Sequence, residues 1–309
     1  RPETMTRRCA LLAAAGWLLA AGCDAPSGEA PSSQPAAPAA VPVRPFPLGE
    51  PDAVLLFTGG TDGMLEVCDC VTTAPGGLSA RSGLAISYRA AFPRVLLLDI
   101  GDALVGTDTM LGTEPPGLRN RMVLEGYRSL EYDAMVLAAR EWELPFDELA
   151  RLLEGGTTVF LSTTIDPAGG PELPLRRALL RQWGAVRVAV VSCIRPEDLP
   201  WLPRERTEHL RFDPARAAEL AESFKREGYV VVAVVYGDEA AVEQAVAAVP
   251  ADLFVRGWTA VTEERASRVA GKWVLKVGGA EAVGVAAIKV SEGRIVDLSY
   301  RREILGSDW

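Results

Sequence analysis

Two cysteines one residue apart, Cys68 and Cys70, are the residues of this chain best suited to chemistry. Thiols at that spacing have three uses. They can close a small strained disulfide that is readily reduced and suits exchange. They can hold a soft metal, Cu(I) or Zn, with Met64 as a third ligand. Or they can be structural, one of them pairing elsewhere. Cys193 ends an apolar run at 186–191 and reads as a small buried residue. Asp102, in a Gly-Asp pair behind another apolar run, can ligate a cation, or it can cap the next segment and bond its own backbone. The one histidine, His209, lies in the polar stretch 204–211, away from every apolar run, and reads as solvent-facing.

The elements that must position these groups are short. Residues 53–58 (AVLLFT) and 96–102 (LLLDIGD) are continuous apolar runs ending in polar residues, the pattern of strands buried on both faces. Between them Leu78, Gly83, Leu84, Ile86 and Tyr88 fit a helix that starts just after Gly76-Gly77. Together they predict a βαβ unit, and ligands of open α/β sheets bind beyond the carboxyl ends of such strands. Chemistry is therefore expected between residues 59 and 102.

Further along, helices are predicted near 118–130, 145–153, 214–227 and 239–248. Strands are predicted at 133–137, 158–162, 186–193, 230–236 and 252–255. Residues 138–143 read as a loop and 166–174 as a turn-rich hairpin connection. The runs 273–277, 282–290 and 294–300, separated by Gly-containing turns, read as an antiparallel meander.

Residues 54–105 resemble the metal-binding half of the metallophosphoesterases, specifically the secreted 5'-nucleotidase (UshA-like) branch. The Gly-Gly-Leu-Ala-Arg helix of that branch stands here as Gly76-Gly77-Leu78-Ser79-Ala80-Arg81. Its Leu-Asp-Ala-Gly-Asp strand end stands as residues 98–102. The resemblance extends over about 54–300 and implies a four-layer α/β/β/α sandwich, two sheets face to face under helices.

It also implies a two-metal rim, where Asp, Asn and His at strand ends hold ions about 4 Å apart that generate hydroxide. Asp102 matches the bridging Asp. The other ligand positions fall on Gly59, Gly60 and Asp62, on Ala138-Ala139-Arg140-Glu141, on Tyr236 and on Gly257-Trp258-Thr259-Ala260, with no imidazole at any of them. The resemblance thus implies a degenerate site in which Asp102 is a vestigial metal position.

Arg140, Tyr236 and Trp258 stand where imidazoles would, at one rim. They can receive an anionic or nucleotide-like ligand, or Arg140 can pair with Asp102 and fill the vacated site. The chain is also similar to a subgroup of that branch with Cys-x-Cys or Cys-x-selenocysteine just before the Gly-Gly-Leu helix.

The remaining features concern place and partners. Arg7-Arg8, the apolar run 9–21 and Leu19-Ala20-Ala21-Gly22-Cys23 form a signal peptide with a bacterial lipobox, so residues 1–23 are an address and Cys23 the lipidated residue. Residues 24–51, rich in Pro, Ala and Ser, cannot bury enough surface to order and read as a tether. Residues 52–309 are left as one domain. The expected place is the bacterial envelope, periplasmic or extracytoplasmic, where cysteines tend to be oxidised.

The net charge of −9 argues against nucleic acid as a partner. Expected partners are the membrane, through the lipid on Cys23, and a redox partner protein. No cofactor is expected apart from Cu or Zn at the thiols. Three functions follow: thiol redox or soft-metal chemistry on a degenerate domain, ligand binding in the vestigial pocket, or residual metal-dependent phosphoesterase activity.

Overall fold

A computed structural model describes residues 40–65, 76–106, 115–257, 266–277 and 279–306. In chain order the elements are β1 (Ala53–Thr58), α1 (Gly77–Ala91), β2 (Val95–Asp99), α2 (Pro116–Ser129), β3 (Ala134–Val136), α3 (Ala139–Glu143), α4 (Phe146–Leu153) and β4 (Val159–Leu161). Then come β5 (Ile165–Pro167), β6 (Leu175–Arg176), β7 (Leu179–Trp183), β8 (Val186–Cys193), α5 (Arg204–Thr207), β9 (Leu210–Phe212), α6 (Ala215–Arg226) and β10 (Val230–Tyr236). The chain finishes with α7 (Glu239–Ala248), β11 (Leu253–Gly257), β12 (Ala266–Val269), β13 (Lys272–Val277), β14 (Ala282–Ser291) and β15 (Arg294–Ile304).

The strands form two main sheets, in the orders β15-β14-β1-β2-β3-β4-β6 and β12-β13-β11-β10-β8-β7, with β5 and β9 as a separate antiparallel pair. Period-two alternation shows how the layers stack. In β10, Val230, Val232 and Val234 join the main core together with Leu55 and Leu56 of the first sheet. Val231, Ala233 and Val235 instead face Ala217 and Ala221 of α6 and Val242 and Ala245 of α7. Leu84, Tyr88 and Tyr127 of α1 and α2 pack into the core with the first sheet. The result is helix, sheet, sheet, helix. Every residue of β1 is buried, as expected of a parallel strand covered on both faces.

Three expectations are corrected. The last three strands are not one meander. β13 pairs parallel with β11 and antiparallel with β12 in the second sheet, while β14 pairs with β1 and β15 in the first. Antiparallel turn chemistry says that strands reverse, not which sheet each joins. Residues 138–143 hold a short helix rather than a loop, nucleated by Glu141 at its third position, whose carboxylate accepts the Ala138 N–H at 2.9 Å. And β5, at the start of the supposed hairpin connection, pairs with β9 instead.

Candidate functional site

The parallel strands β1, β2 and β3 bring three loops to one edge. The first two run side by side: the N–H groups of Gly60, Asp62 and Gly63 donate to the carbonyls of Gly101, Asp102 and Ala103 at 2.9, 2.9 and 3.0 Å. Asp62 and Asp102 are both left-handed, with φ of 45° and 56°, a conformation Asp tolerates better than most residues and one that gathers at functional sites. Gly101, at φ 114°, has no room for a side chain, since a Cβ there would lie 2.4 Å from the Ala138 Cβ.

Glu141 organises this edge from beneath. It is fully buried and accepts four backbone N–H groups: Asp102 at 3.2 Å, Ala103 at 2.8 Å, Leu104 at 3.0 Å and Ala138 at 2.9 Å. One carboxylate thereby fixes the loop after β2 against the start of α3. Burial, with Asp102 nearby, pushes its pKa up to about 8 against the pull of those N–H groups.

Asp102 is 4% exposed and its two oxygens are already engaged. The Tyr236 hydroxyl donates to Oδ2 at 2.8 Å, and the Arg140 backbone N–H donates to Oδ1 at 3.1 Å. Burial pushes its pKa up to about 6; Tyr236 and the Arg140 N–H work against that rise, and Asp62 adds to it. Burial, followed by Asp102, holds the Tyr236 hydroxyl well above the usual phenol range.

The expectation that Arg140 pairs with Asp102 is met only through its backbone. The guanidinium reaches past it, with Nε 3.4 Å from Asp62 Oδ1 and Nη1 3.4 Å from Glu143 Oε1. Behind the rim, Asp99 anchors the carboxyl ends of the strands. Its Oδ2 accepts from Tyr127 at 2.7 Å and Thr58 at 2.9 Å, and its Oδ1 accepts the Gly101 N–H at 2.9 Å. Arg81 donates to Thr61 at 2.6 Å, and Tyr127 and Tyr132 stack with ring centroids 4.1 Å apart. The buried Arg81 charge thus faces Asp99 across Tyr127.

Asp102, Arg140 and Tyr236 therefore come together as the sequence suggests. Cys23, Cys68, Cys70 and Trp258 lie outside the described residues. Cys193 is buried on the outer face of the second sheet, among the side chains of α6 and α7. His209 is exposed just before β9, and Met64 is 37% exposed where the first loop leaves the rim. Sequence reasoning missed Glu141 and Glu143 as members of the site, along with the Asp99 network. Only the bond from the Ala138 N–H to Glu141 is local; the other three N–H groups that Glu141 accepts lie 37 to 39 residues away, and reading 138–143 as a loop hid the first as well.

Solved structures share this architecture, three of them as follows. Thermus thermophilus sulfate thiohydrolase SoxB superposes with TM-score 0.70 at 18% identity, covering 87% of this chain and 58% of that one. A 5'-nucleotidase precursor, also from Thermus thermophilus, gives 0.67 at 20%, covering 82% and 54%. The calcineurin-like phosphoesterase YfkN of Bacillus subtilis gives 0.62 at 18%, covering 82% and 90%. The fold is that of the calcineurin-like phosphoesterases. The chain spans a little over half the length of the first two structures. No family model matches it, nor does any curated protein sequence.

The resemblance to metallophosphoesterases implies a two-metal rim, so the donor set at this edge can be tested against it. Among the described residues no group of three His, Cys, Asp or Glu side chains converges to hold a metal. Asp102 already accepts a hydrogen bond on each oxygen, and a guanidinium sits against Asp62. Among the described residues, Arg140 and Tyr236 bring a guanidinium and a phenol to this rim, not the imidazole and carboxylate donors that a dinuclear centre needs.

Proposed function

We propose that this chain is an exported, lipid-anchored protein of the cell envelope whose phosphoesterase fold no longer supports two-metal hydrolysis, and whose working chemistry is thiol exchange at Cys68 and Cys70. The observation that carries this reading is the filled rim: Asp102, Arg140 and Tyr236 satisfy one another and Asp62 where metal ligands would stand. Fold alone does not carry activity, and with the rim closed the thiol pair is the reactive group left in the segment that the strands β1 and β2 bracket.

That segment starts and ends at the same edge. Leu78 N–H donates to the Leu65 carbonyl at 2.9 Å, and Gly76 N–H donates to the Leu305 carbonyl at 2.9 Å. In the exchange, the thiolate of one cysteine attacks a partner disulfide, forming a mixed disulfide and expelling one partner thiolate. The second cysteine attacks that mixed disulfide, releases the other partner sulfur and leaves Cys68–Cys70 oxidised. Two electrons pass to the partner, and a dithiol reductant must restore the pair.

The test is turnover of a glutathionylated peptide with a dithiol reductant supplied. Loss of turnover in Cys68→Ser and in Cys70→Ser, one of them trapping a mixed disulfide, is expected. Full activity in Cys68→Ser contradicts the proposal. Near-stoichiometric copper or zinc in chelator-free protein would instead favour soft-metal binding, with Met64 available as a third ligand.

The second reading, an anionic or nucleotide-like ligand at Arg140, Tyr236 and Trp258, rests on Arg140 being 37% exposed at the rim. The charge count weighs against it. Asp62, Asp102 and Glu143 all act on that guanidinium, and two of them already contact it. Thermal stabilisation by nucleotides or phosphate esters, lost in Arg140→Ala, would support it. Manganese-dependent turnover of a phosphate diester, abolished by Asp102→Ala, would restore the hydrolase.

A further inference from the structure

On the outer face of the second sheet, opposite the face that Tyr236 occupies, lies a half-open pocket of about 160 Å³. Cys193 and Val235, near the carboxyl ends of β8 and β10, line one side, and Ala241, Ala245 and Ala248 of α7 line the other. Those alanines recur at helical spacing on one face of α7. Any larger side chain there would fill the gap.

The polar groups at the cavity are already spent on one another. Arg195 donates through Nε to Asp198 Oδ2 at 3.0 Å and through Nη2 to Asp198 Oδ1 at 2.5 Å, and its Nη1 donates to Gln244 Oε1. Thr164 is likewise closed on itself, donating to the Ile194 carbonyl at 2.7 Å and accepting the Ile194 N–H at 3.1 Å. Burial, with Asp198 nearby, pushes the Cys193 thiol up to about 12, so it lines the cavity as a neutral, polarisable group. A charged ligand would have to break the Arg195–Asp198 clasp to gain a partner. An apolar one gains carbon and sulfur contacts and breaks nothing.

We propose that this cavity is a binding site for a small neutral apolar molecule of about benzene's size, entering beside the Arg195–Gln244 bond. The volume matches that of apolar protein cavities of roughly 150 Å³ that take benzene or xenon, and this one is open to solvent along exposed Gln244 and Ala248.

The test is titration of the full chain with benzene, followed by methyl NMR. Saturable shifts confined to the methyls of Val235, Ala241, Ala245 and Ala248 are expected, with loss of those shifts in Ala245→Leu, which fills the cavity. Where Ala245→Leu does not fold, Cys193→Leu fills it from the opposite wall and serves as the variant. Absence of saturable shifts up to the solubility of benzene overturns the proposal. So do shifts centred on other residues, and so does unchanged binding in a folded, filled variant.

Discussion

Asp102 carries the largest share of the rim's chemistry, and its two partners make it testable. Tyr236→Phe removes the hydroxyl that donates to Oδ2 and leaves a buried carboxylate with one donor fewer. A loss of about 1–3 kcal/mol in urea unfolding is expected, and in a ¹³C titration the Asp102 pKa rises above about 6, because Tyr236 is the largest of the groups that hold it down. The backbone gives a second contrast. Asp102 sits at φ 56°, which Asn tolerates and Ala does not. Asp102→Asn is therefore expected to melt within a few degrees of the native chain, and Asp102→Ala well below it. Equal melting of the two variants would remove backbone strain from the explanation of this residue.

At the scale of elements, the site exists because parallel strands end together and their loops pair. Gly101 is the close approach that allows it. Gly101→Ala adds a methyl against Ala138 at a backbone angle alanine resists, for an expected loss of about 2–5 kcal/mol. Gly155→Ala, also at positive φ but with nothing within 4 Å, is expected to lose only about 1–2 kcal/mol. Chemical denaturation of both separates crowding from backbone strain.

This scale also marks where the sequence was legible. The opening βαβ unit, the long helices α6 and α7 and the apolar β10 are continuous or strongly periodic, and each stands where pattern placed it, within a few residues. The juxtaposition of Asp102 with Arg140 and Tyr236 was expected from the resemblance alone, which puts all three at strand ends: Asp102 and Arg140 follow β2 and β3, and Tyr236 closes β10. The partition of β13 and β14 between two sheets was not legible. Nor was the four-donor role of Glu141, since both depend on contacts remote in sequence. The guanidinium of Arg140 went to Asp62 and Glu143 for a similar reason: spacing fixes where a long side chain starts and leaves open where it ends.

For the whole molecule, the buried acids set a pH dependence. Asp102 is raised from its ordinary 3.8 to about 6 and Glu141 from 4.5 to about 8. Between those limits the folded chain binds more protons than the unfolded one, so stability falls as pH rises. The stabilising contribution is complete below about pH 4 and gone above about 8. Melting temperatures from about pH 5 to 8 are expected to decline, and Glu141→Gln should flatten the upper half of that decline while lowering the melting temperature throughout, because an amide cannot accept all four N–H groups.

The same rim decides what the fold can do. If the proposed reading holds, a rim where Arg140 and Tyr236 engage Asp62 and Asp102 has no affinity for hard divalent ions. Isothermal titration of the full chain with manganese, beside Asp102→Asn, measures this directly. Hard-metal binding at Asp102 should be undetectable, leaving the two titrations superimposable. Two equivalents of manganese bound by the native chain and lost in Asp102→Asn would contradict the proposed loss of the metal centre and favour the hydrolase reading.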